Sequence, residues 1–145
     1  LVTNTSYNTP QRNVTGFNYK RLGMLIAVLE TRIGLVMGTK DIFINLVGGL
    51  TIDDPAADLS VISAIASSTM DKYIEKNIIL CGEVGLTGEV RSINNLDRRI
   101  AEALSLGFKK AIVPSSSLKT KKLKNVNIDL IPVGNVKEAF KILFQ

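Results

Sequence analysis

Apolar residues recur at helical spacing in four stretches of the chain. In "YKRLGMLIAVLETRIG" they fall on one face, with Asn18 as the predicted N-cap and Gly34 as the predicted end. A second helix is predicted after Asp54 and Pro55, because an aspartate oxygen accepts free N–H groups and proline has no N–H to leave unpaired. The other two predicted helices are "LDRRIAEALS", which ends at Gly107, and "VKEAFKILF".

Apolar runs between these helices predict strands. We expect a strand over residues 1–7, a loop over 8–17 and an inner strand in "DIFINLVGG", residues 41–49. In "NIILCGEVGLTGEVRSI" the apolar residues alternate around Thr87 and Gly88, which predicts a hairpin or tight bend. "KKAIVP" and "IDLIPV" are the last predicted strands. The alternation of strands and helices predicts an α/β (α+β) fold with helices packed on a mixed sheet, as one domain over residues 1–145.

The same spacing predicts which side chains are buried. Cys81 lies in an apolar run and is expected in the core. Two helices are expected to bury one stripe each, formed by Leu96, Ile100, Ala103 and Leu104 in the third helix and by Val136, Ala139, Phe140 and Leu143 in the last.

Composition excludes several kinds of chemistry. The 145 residues include no histidine and one cysteine, which removes Ser-His-Asp and Cys-His catalysis, the usual zinc sites and any disulfide within the chain. No apolar run reaches the about 18 residues needed to cross a bilayer, and the first residues do not resemble a signal peptide. We therefore expect no membrane partner and a location in the cytoplasm or an organelle interior. Because the chain begins at Leu1, within a predicted strand, we interpret it as a segment of a longer protein.

Positive charge is concentrated in one part of the chain. The net charge is +5, yet the stretch from Arg91 to Lys124 alone holds nine basic residues and two acidic ones. This concentration favours an anionic partner, with nucleic acid as the first candidate. The alternative is a lysine-rich solubilising loop, which we favour for Lys119 to Lys124 taken alone. Lys20 and Arg21 lie in the first turn of a predicted helix, which is unfavourable for the helix dipole and suggests that they serve a partner.

Three long motifs together resemble a known family. They are "GFNYKRLGMLIAVLETRIGL", "DIFINLVGGLTIDDPAADLSVISAIASS" and "GEVGLTGEVRSINNLDRRIAEALSLGFKKAIVP". In order and spacing they resemble the C-terminal domain of the RadA (Sms) family of bacterial DNA repair proteins, closely over residues 1–115 and in outline beyond. That domain is similar to the proteolytic domain of Lon, a Ser-Lys peptidase. The resemblance implies an α/β fold of the ribosomal protein S5 domain 2 type.

The resemblance also implies that the peptidase residues are absent. The Lon motif places the nucleophilic serine at position 56 and its lysine base at position 97, where this chain has Ala56 and Asp97. Asp58 stands where the peptidase pattern has a small glycine, and we expect its charge to obstruct a substrate. A substitute pair of Ser60 and Lys72 is excluded by about 18 Å of helical rise.

The family implies partners and cofactors as well. We expect a hexameric ring in which an N-terminal zinc motif and a RecA-like ATPase, both outside this chain, bind zinc, ATP and Mg²⁺; this domain itself is expected to hold no metal and no cofactor. Recombination proteins are further implied partners. Because the chain has no tryptophan and few aromatic residues, contacts with the DNA backbone are expected rather than base stacking. The alternatives are a Ser-Lys peptidase and a pure oligomerisation module. The predicted DNA contacts are Lys20, Arg21, Arg91, Arg98, Arg99, Lys109 and Lys110.

Overall fold

The strands of a computed structural model, which describes residues 1–6, 9–119 and 127–145, form three small sheets. Sheet 1 has the order β1-β3-β2, sheet 2 has the order β4-β7-β8, and β5 with β6 forms a hairpin. The strands are β1 (Val2–Asn4), β2 (Arg12–Thr15), β3 (Lys40–Asn45), β4 (Ile78–Leu80), β5 (Glu83–Val84), β6 (Val90–Arg91), β7 (Lys110–Pro114) and β8 (Asp129–Val133).

Helices connect and cover these sheets. A π-helical turn (Leu29–Ile33) extends the first helix, and 3₁₀ turns occur at Val47–Gly49, Pro55–Ala57 and Ser115–Lys119. No helix in the described ranges is long and apolar enough to cross a membrane. The α-helices are α1 (Tyr19–Val28), α2 (Asp58–Met70), α3 (Leu96–Ser105) and α4 (Val136–Phe144).

Pairing within the sheets confirms the predicted mixed α/β fold. In sheet 1, β3 runs antiparallel to β1, with Val2 opposite Ile42, and parallel to β2, with Val14 opposite Ile44. Sheet 2 is parallel throughout, with β7 between β4 and β8. Sheet 1 is therefore the sheet that combines parallel and antiparallel pairs. The predicted bend at Thr87 connects β5 to β6, which pair as an antiparallel hairpin.

The first helix begins and ends where the sequence predicts. The side chain of Asn18 accepts a hydrogen bond from the Arg21 N–H, which satisfies one of the free donors of the first turn. The helix ends at Gly34, whose φ of 82° lies in the left-handed region that glycine adopts readily.

Two apolar clusters hold the elements together. The larger one packs α1, α2 and α4 around β3 and the hairpin, and its fully buried side chains include Leu22, Leu25, Leu29, Ile42, Leu59 and Ile62. The smaller one packs α3 on sheet 2 through Leu96, Ile100, Ala103, Ala111, Val113 and Ile128.

The predicted loop over residues 8–17 is wrong in part, because it contains β2. This strand pairs with β3 through Arg12–Thr15. Three of its four residues are polar, and half-buried and exposed residues alternate along β2, so one face of the strand is turned to solvent. The prediction failed because the pairing with β3, rather than local hydrophobicity, stabilises this segment.

Three burial predictions also need correction. Leu104 is 37% exposed, since it lies one position beyond Ala103 and therefore turns away from the buried face of α3. Leu143 is only partly buried, and Phe144 completes the stripe of α4 in its place. Cys81 is partly buried, because it follows the end of β4 and borders an open groove.

Candidate functional site

The start of α2 is built as the sequence predicts. Asp54 has an extended backbone, and its Oδ1 accepts a hydrogen bond of 3.0 Å from the Ala56 N–H, while Pro55 occupies the first helical position. This hydrogen bond lowers the pKa of Asp54, and the nearby Arg99 lowers it further. The 3₁₀ turn that follows leads directly into α2.

Ala56 is held against the end of β4. Its carbonyl accepts a hydrogen bond of 2.9 Å from the Gly82 N–H, and the Gly82 carbonyl accepts one of 3.1 Å from the Leu59 N–H. Ala56 is 5% exposed. A methyl group in this position has no lone pair with which to attack a carbonyl, so the helix start is present without a nucleophile at residue 56.

An ion pair joins the start of α3 to the start of α2. The Arg99 Nη2 lies 2.6 Å from Asp54 Oδ2, and the Arg99 Nε donates to the Asn94 carbonyl. Asp97 is exposed, two residues before Arg99. The two positions that the Lon motif assigns to the serine and the lysine thus lie on helix starts that this ion pair connects. Asp97 supplies a carboxylate there rather than an amine.

Ser60 and Lys72 each have other partners. The Ser60 Oγ donates to the Leu80 carbonyl at 2.6 Å, and the Lys72 Nζ donates to the Phe144 carbonyl at 2.7 Å. The two groups therefore do not form a dyad.

Asp58 faces the interior, contrary to the expectation that it obstructs a groove. Its side chain has no solvent exposure, both of its oxygens are bound by the Arg21 guanidinium, and Oδ2 accepts a hydrogen bond of 3.1 Å from the Val84 N–H. The bond with Asp58 raises the pKa of Arg21. Arg21 thus has a partner within the chain. Its unfavourable position in the first turn of α1 did not indicate this partner.

The other predicted DNA contacts differ in how far they are neutralised. Arg91 pairs with Glu89, and Lys110 pairs with Glu75 at 2.9 Å. In the described ranges, Lys20, Arg98 and Lys109 are exposed and form no ion pair. Lys121, Lys122 and Lys124 lie outside the described residues.

These basic residues separate into two groups. Arg21 and Arg91 lie 3.9 and 4.0 Å from the same oxygen of Glu83, close to the start of α2, where Arg99 also binds Asp54. Lys109 and Lys110 lie at the opposite end of sheet 2, where their N–H groups donate to the Asn77 carbonyl ahead of β4. The structure thus brings Arg21, Arg91 and Arg99 together near the start of α2 but places Lys109 and Lys110 elsewhere.

A groove of about 760 Å³ lies between β4 and α3. Arg98, Arg99 and Glu102 form its charged wall. Burial raises the pKa of the Cys81 thiol, which borders the same groove. The apolar lining includes Ile78, Ile79, Leu80, Ala103, Leu106 and Phe108.

The aspartates near α2 are not arranged around a metal. Asp54 is bound by Arg99 and Asp58 by Arg21, so each faces a cation of the protein. Across the described ranges there is no group of three or more His, Cys, Asp or Glu residues that could hold a metal ion.

Neither Asp–Arg pair is indicated by the sequence pattern. Asp58 and Arg21 are 37 residues apart, and Asp54 and Arg99 are 45 apart. The sequence does show one aspartate at the helix cap and a second four residues later, and this spacing places the two carboxylates one helical turn apart. It does not indicate which arginines bind them.

Comparisons with known proteins identify the family of this domain. Residues 19–145 match the model of the Lon protease (S16) C-terminal proteolytic domain. The chain is 39% identical over 144 residues to the DNA repair protein RadA of Aquifex aeolicus, 40% over 141 residues to that of Bacillus subtilis and 41% over 144 residues to that of Streptococcus pneumoniae.

These alignments cover 97 to 99% of this chain but 31 to 34% of each relative, so the chain spans about a third of their length. The resemblance predicted from the three motifs is confirmed. The chain therefore belongs to the family of the Lon protease (S16) C-terminal proteolytic domain, in a form similar to the corresponding part of DNA repair protein RadA.

Proposed function

We propose that this chain is a non-proteolytic Lon-type domain of a RadA-type DNA repair and recombination protein. In this role it serves as a scaffold for ring assembly and offers a surface that contacts the DNA backbone without reading its sequence. The observation that carries the proposal is the start of α2, where an intact cap presents the methyl group of Ala56 and the adjoining helix start presents Asp97.

The chemistry of that site supports the absence of peptidase activity. A Ser-Lys peptidase needs a hydroxyl and an amine with a lowered pKa within hydrogen-bond reach of each other. Ala56 and Asp97 provide neither group, and Ser60 and Lys72 are engaged elsewhere.

Exposed arginine near this site supports the DNA-binding role. Arg98 is exposed and has no ion-pair partner among the described residues, and it shares the groove wall with Arg99. Guanidinium groups bind phosphate oxygens well, and phosphate contacts carry no sequence information. The matched relatives named as DNA repair proteins make DNA the anion of choice.

The parent protein is proposed by the same resemblance. It would be a hexameric, DNA-dependent ATPase of the bacterial cytoplasm, with zinc, ATP and Mg²⁺ bound outside this chain and with recombination proteins among its partners.

A peptidase assay tests the non-proteolytic part of the proposal. Neither casein nor a labelled peptide should be turned over, and steady turnover abolished by mutating one serine would contradict the proposal.

A pair of matched variants tests the DNA surface. Arg98→Ala removes an exposed cation of the groove wall that forms no ion pair with any described residue, and Lys137→Ala removes an exposed cation of α4 as the control. We expect Arg98→Ala to weaken duplex binding and to reduce the slope of log K against log salt by about 0.9, as expected for one lost phosphate contact. Lys137→Ala should leave both unchanged. Equal affinities for the two variants would contradict the assignment of Arg98.

Pure oligomerisation is a second candidate, and one observation favours it. Four of the seven predicted DNA contacts, namely Arg21, Arg91, Arg99 and Lys110, are already paired with carboxylates. If this candidate holds, replacing both Arg98 and Arg99 by alanine leaves the DNA affinity of the intact protein unchanged, while light scattering still detects a self-associated chain. Weaker DNA binding by the double variant would instead favour the DNA surface.

A further inference from the structure

The edge of β3 that faces β1 is only partly paired. β1 covers Lys40 to Ile42, and the Leu1 N–H and carbonyl both bond to Phe43, at 3.0 and 2.9 Å. On the opposite side β2 continues to pair with β3 as far as Asn45. Beyond Phe43, no described residue pairs with β3 on the β1 side.

An apolar groove of about 410 Å³ follows this open edge. The consecutive residues 42–46 of β3 and its continuation line one side of it. Since successive side chains of a strand point to opposite faces, a groove lined by consecutive residues runs along the edge of the strand. Ala57 of the 3₁₀ turn, together with Val61 and Ala64 of α2, forms part of the other wall.

The chemistry of the groove points to an uncharged, extended occupant. None of the described residues that line it carries a charged side chain. It therefore offers nothing to bind a phosphate or an acidic peptide, in contrast to the groove beside Arg98 and Arg99. Its unpaired strand edge instead fits another strand, which would satisfy main-chain groups and cover apolar side chains.

We infer that residues of the longer protein that directly precede Leu1 occupy this groove and extend β1 along β3. The register gives the pairing: Leu1 lies opposite Phe43, so the residue before it falls opposite Ile44 and the next one opposite Asn45. Main-chain groups point alternately to the two edges, and therefore Asn45 presents its N–H and carbonyl to the β1 side, as Phe43 does. The matched relatives, of which this chain spans about a third, contain ample further sequence to supply such a segment.

The occupant is a strand of at least three residues with apolar side chains towards α2. Three residues span roughly 10 Å, the length of edge from Ile44 to Leu46. The strand passes Ala57 and Ser60, which line the same groove and follow closely after Ala56. The protein thus fills the cleft beside its α2 start with its own chain, and no separate peptide lies there.

Amide hydrogen exchange of Asn45 tests this inference. Measurements compare the chain of 145 residues with the longer protein that contains it. We expect the Asn45 amide to exchange roughly tenfold more slowly in the longer protein, which corresponds to one added hydrogen bond. The Leu46 N–H, which bonds to the Thr15 carbonyl in both, serves as the internal reference. Equal exchange of Asn45 in the two proteins would overturn the inference.

Replacement of either of two alanines by aspartate tests where the strand lies. Ala64 and Ala101 are both exposed helical alanines, but only Ala64 lines the groove. In the longer protein, Ala64→Asp should abolish the added protection of Asn45 because it places a charge against the docked strand, and Ala101→Asp should retain it. Protection that survives Ala64→Asp would mean that the strand lies elsewhere. Protection that requires a second protein would also overturn an occupant from the same chain.

Discussion

Two aspartate–arginine pairs lie one helical turn apart at the start of α2, and they differ in their surroundings. Asp58 has no exposed side-chain surface, and its partner Arg21 is 28% exposed. Asp54 and Arg99 are 45% and 35% exposed, and they join α2 to α3 at the protein surface, which we call the rim. The same two chemical groups are thus placed once inside the protein and once at its surface.

The difference determines what each pair can do. A buried charge that loses its partner has no water to replace it, so the inner pair holds α1, α2 and β5 in one arrangement. Water and salt screen the outer pair, so its arginine can exchange a carboxylate for another anion at little cost. We therefore assign the inner pair to stability, while the outer arginine remains available for the proposed binding of DNA.

The largest expected effect comes from breaking the inner pair. Arg21→Ala leaves the Asp58 carboxylate, which has no exposed side-chain surface, with the Val84 N–H as its one remaining partner among the described residues. We expect the free energy of unfolding to fall by about 3–5 kcal/mol, measured by urea denaturation at neutral pH. The double variant Arg21→Ala with Asp58→Ala should lose less than the sum of the single changes. Strict additivity would show that the two groups are not coupled.

Substitutions in the outer pair should lower the free energy of unfolding less than those in the inner pair, and the two residues should differ in the size of the effect. Asp54→Ala removes both the helix cap and the ion pair, and we expect a loss of about 0.5–2 kcal/mol. Arg99→Ala removes only the ion pair at the rim and should cost less than about 1 kcal/mol. The same urea titrations measure both variants. If Arg99→Ala proved as costly as Arg21→Ala, the contrast between rim and interior would fail.

Glu89 extends the comparison to a carboxylate at the hairpin surface. Hydrogen bonds from Thr87, with further help from Arg91, lower its pKa from 4.5 to about 2. A lowered pKa in the folded state contributes stability above pH 4.5, which is lost as the pH falls from there towards 2. Because the group is screened by water, we expect this contribution to stay below about 1 kcal/mol. Glu89→Gln should flatten the acid limb of the stability profile, and an unchanged limb would contradict the role of Glu89.

The smallest effect is expected at an interior polar group that has no charge. Ser63 is fully buried, and in the described structure its hydroxyl has no hydrogen-bond partner. Ser63→Ala removes an unsatisfied group with little change of shape, so thermal unfolding should show a stability within about 0.5 kcal/mol of the original, or slightly higher. A loss above about 2 kcal/mol would reveal a bonding partner for this hydroxyl.

Local signals in the sequence predicted the helix starts well. Asn18 and Asp54 act through residues two or three positions away, so their caps can be recognised in a short stretch. The π-helical turn over Leu29–Ile33 was not predicted, since its apolar spacing resembles that of an ordinary helix.

Features that depend on distant residues could not be predicted from such signals. β2 is polar and exists through its pairing with β3, and the partners of Asp54 and Asp58 lie on other helices. Ala56 and Asp97 were singled out only because the long motifs resemble the Lon pattern. The structure then placed their helix starts together through Asp54 and Arg99.

The salt dependence of DNA binding by this chain tests the central claim most directly. That claim is the proposal that cations around a Lon-type scaffold without peptidase activity bind the DNA backbone. Affinity for a duplex would be measured by anisotropy between about 50 and 200 mM salt. We predict that log K falls linearly with log salt, and that Asp54→Asn, which frees Arg99 from its carboxylate, tightens binding. Absence of binding at low salt, or an affinity that does not change with salt, would contradict the account.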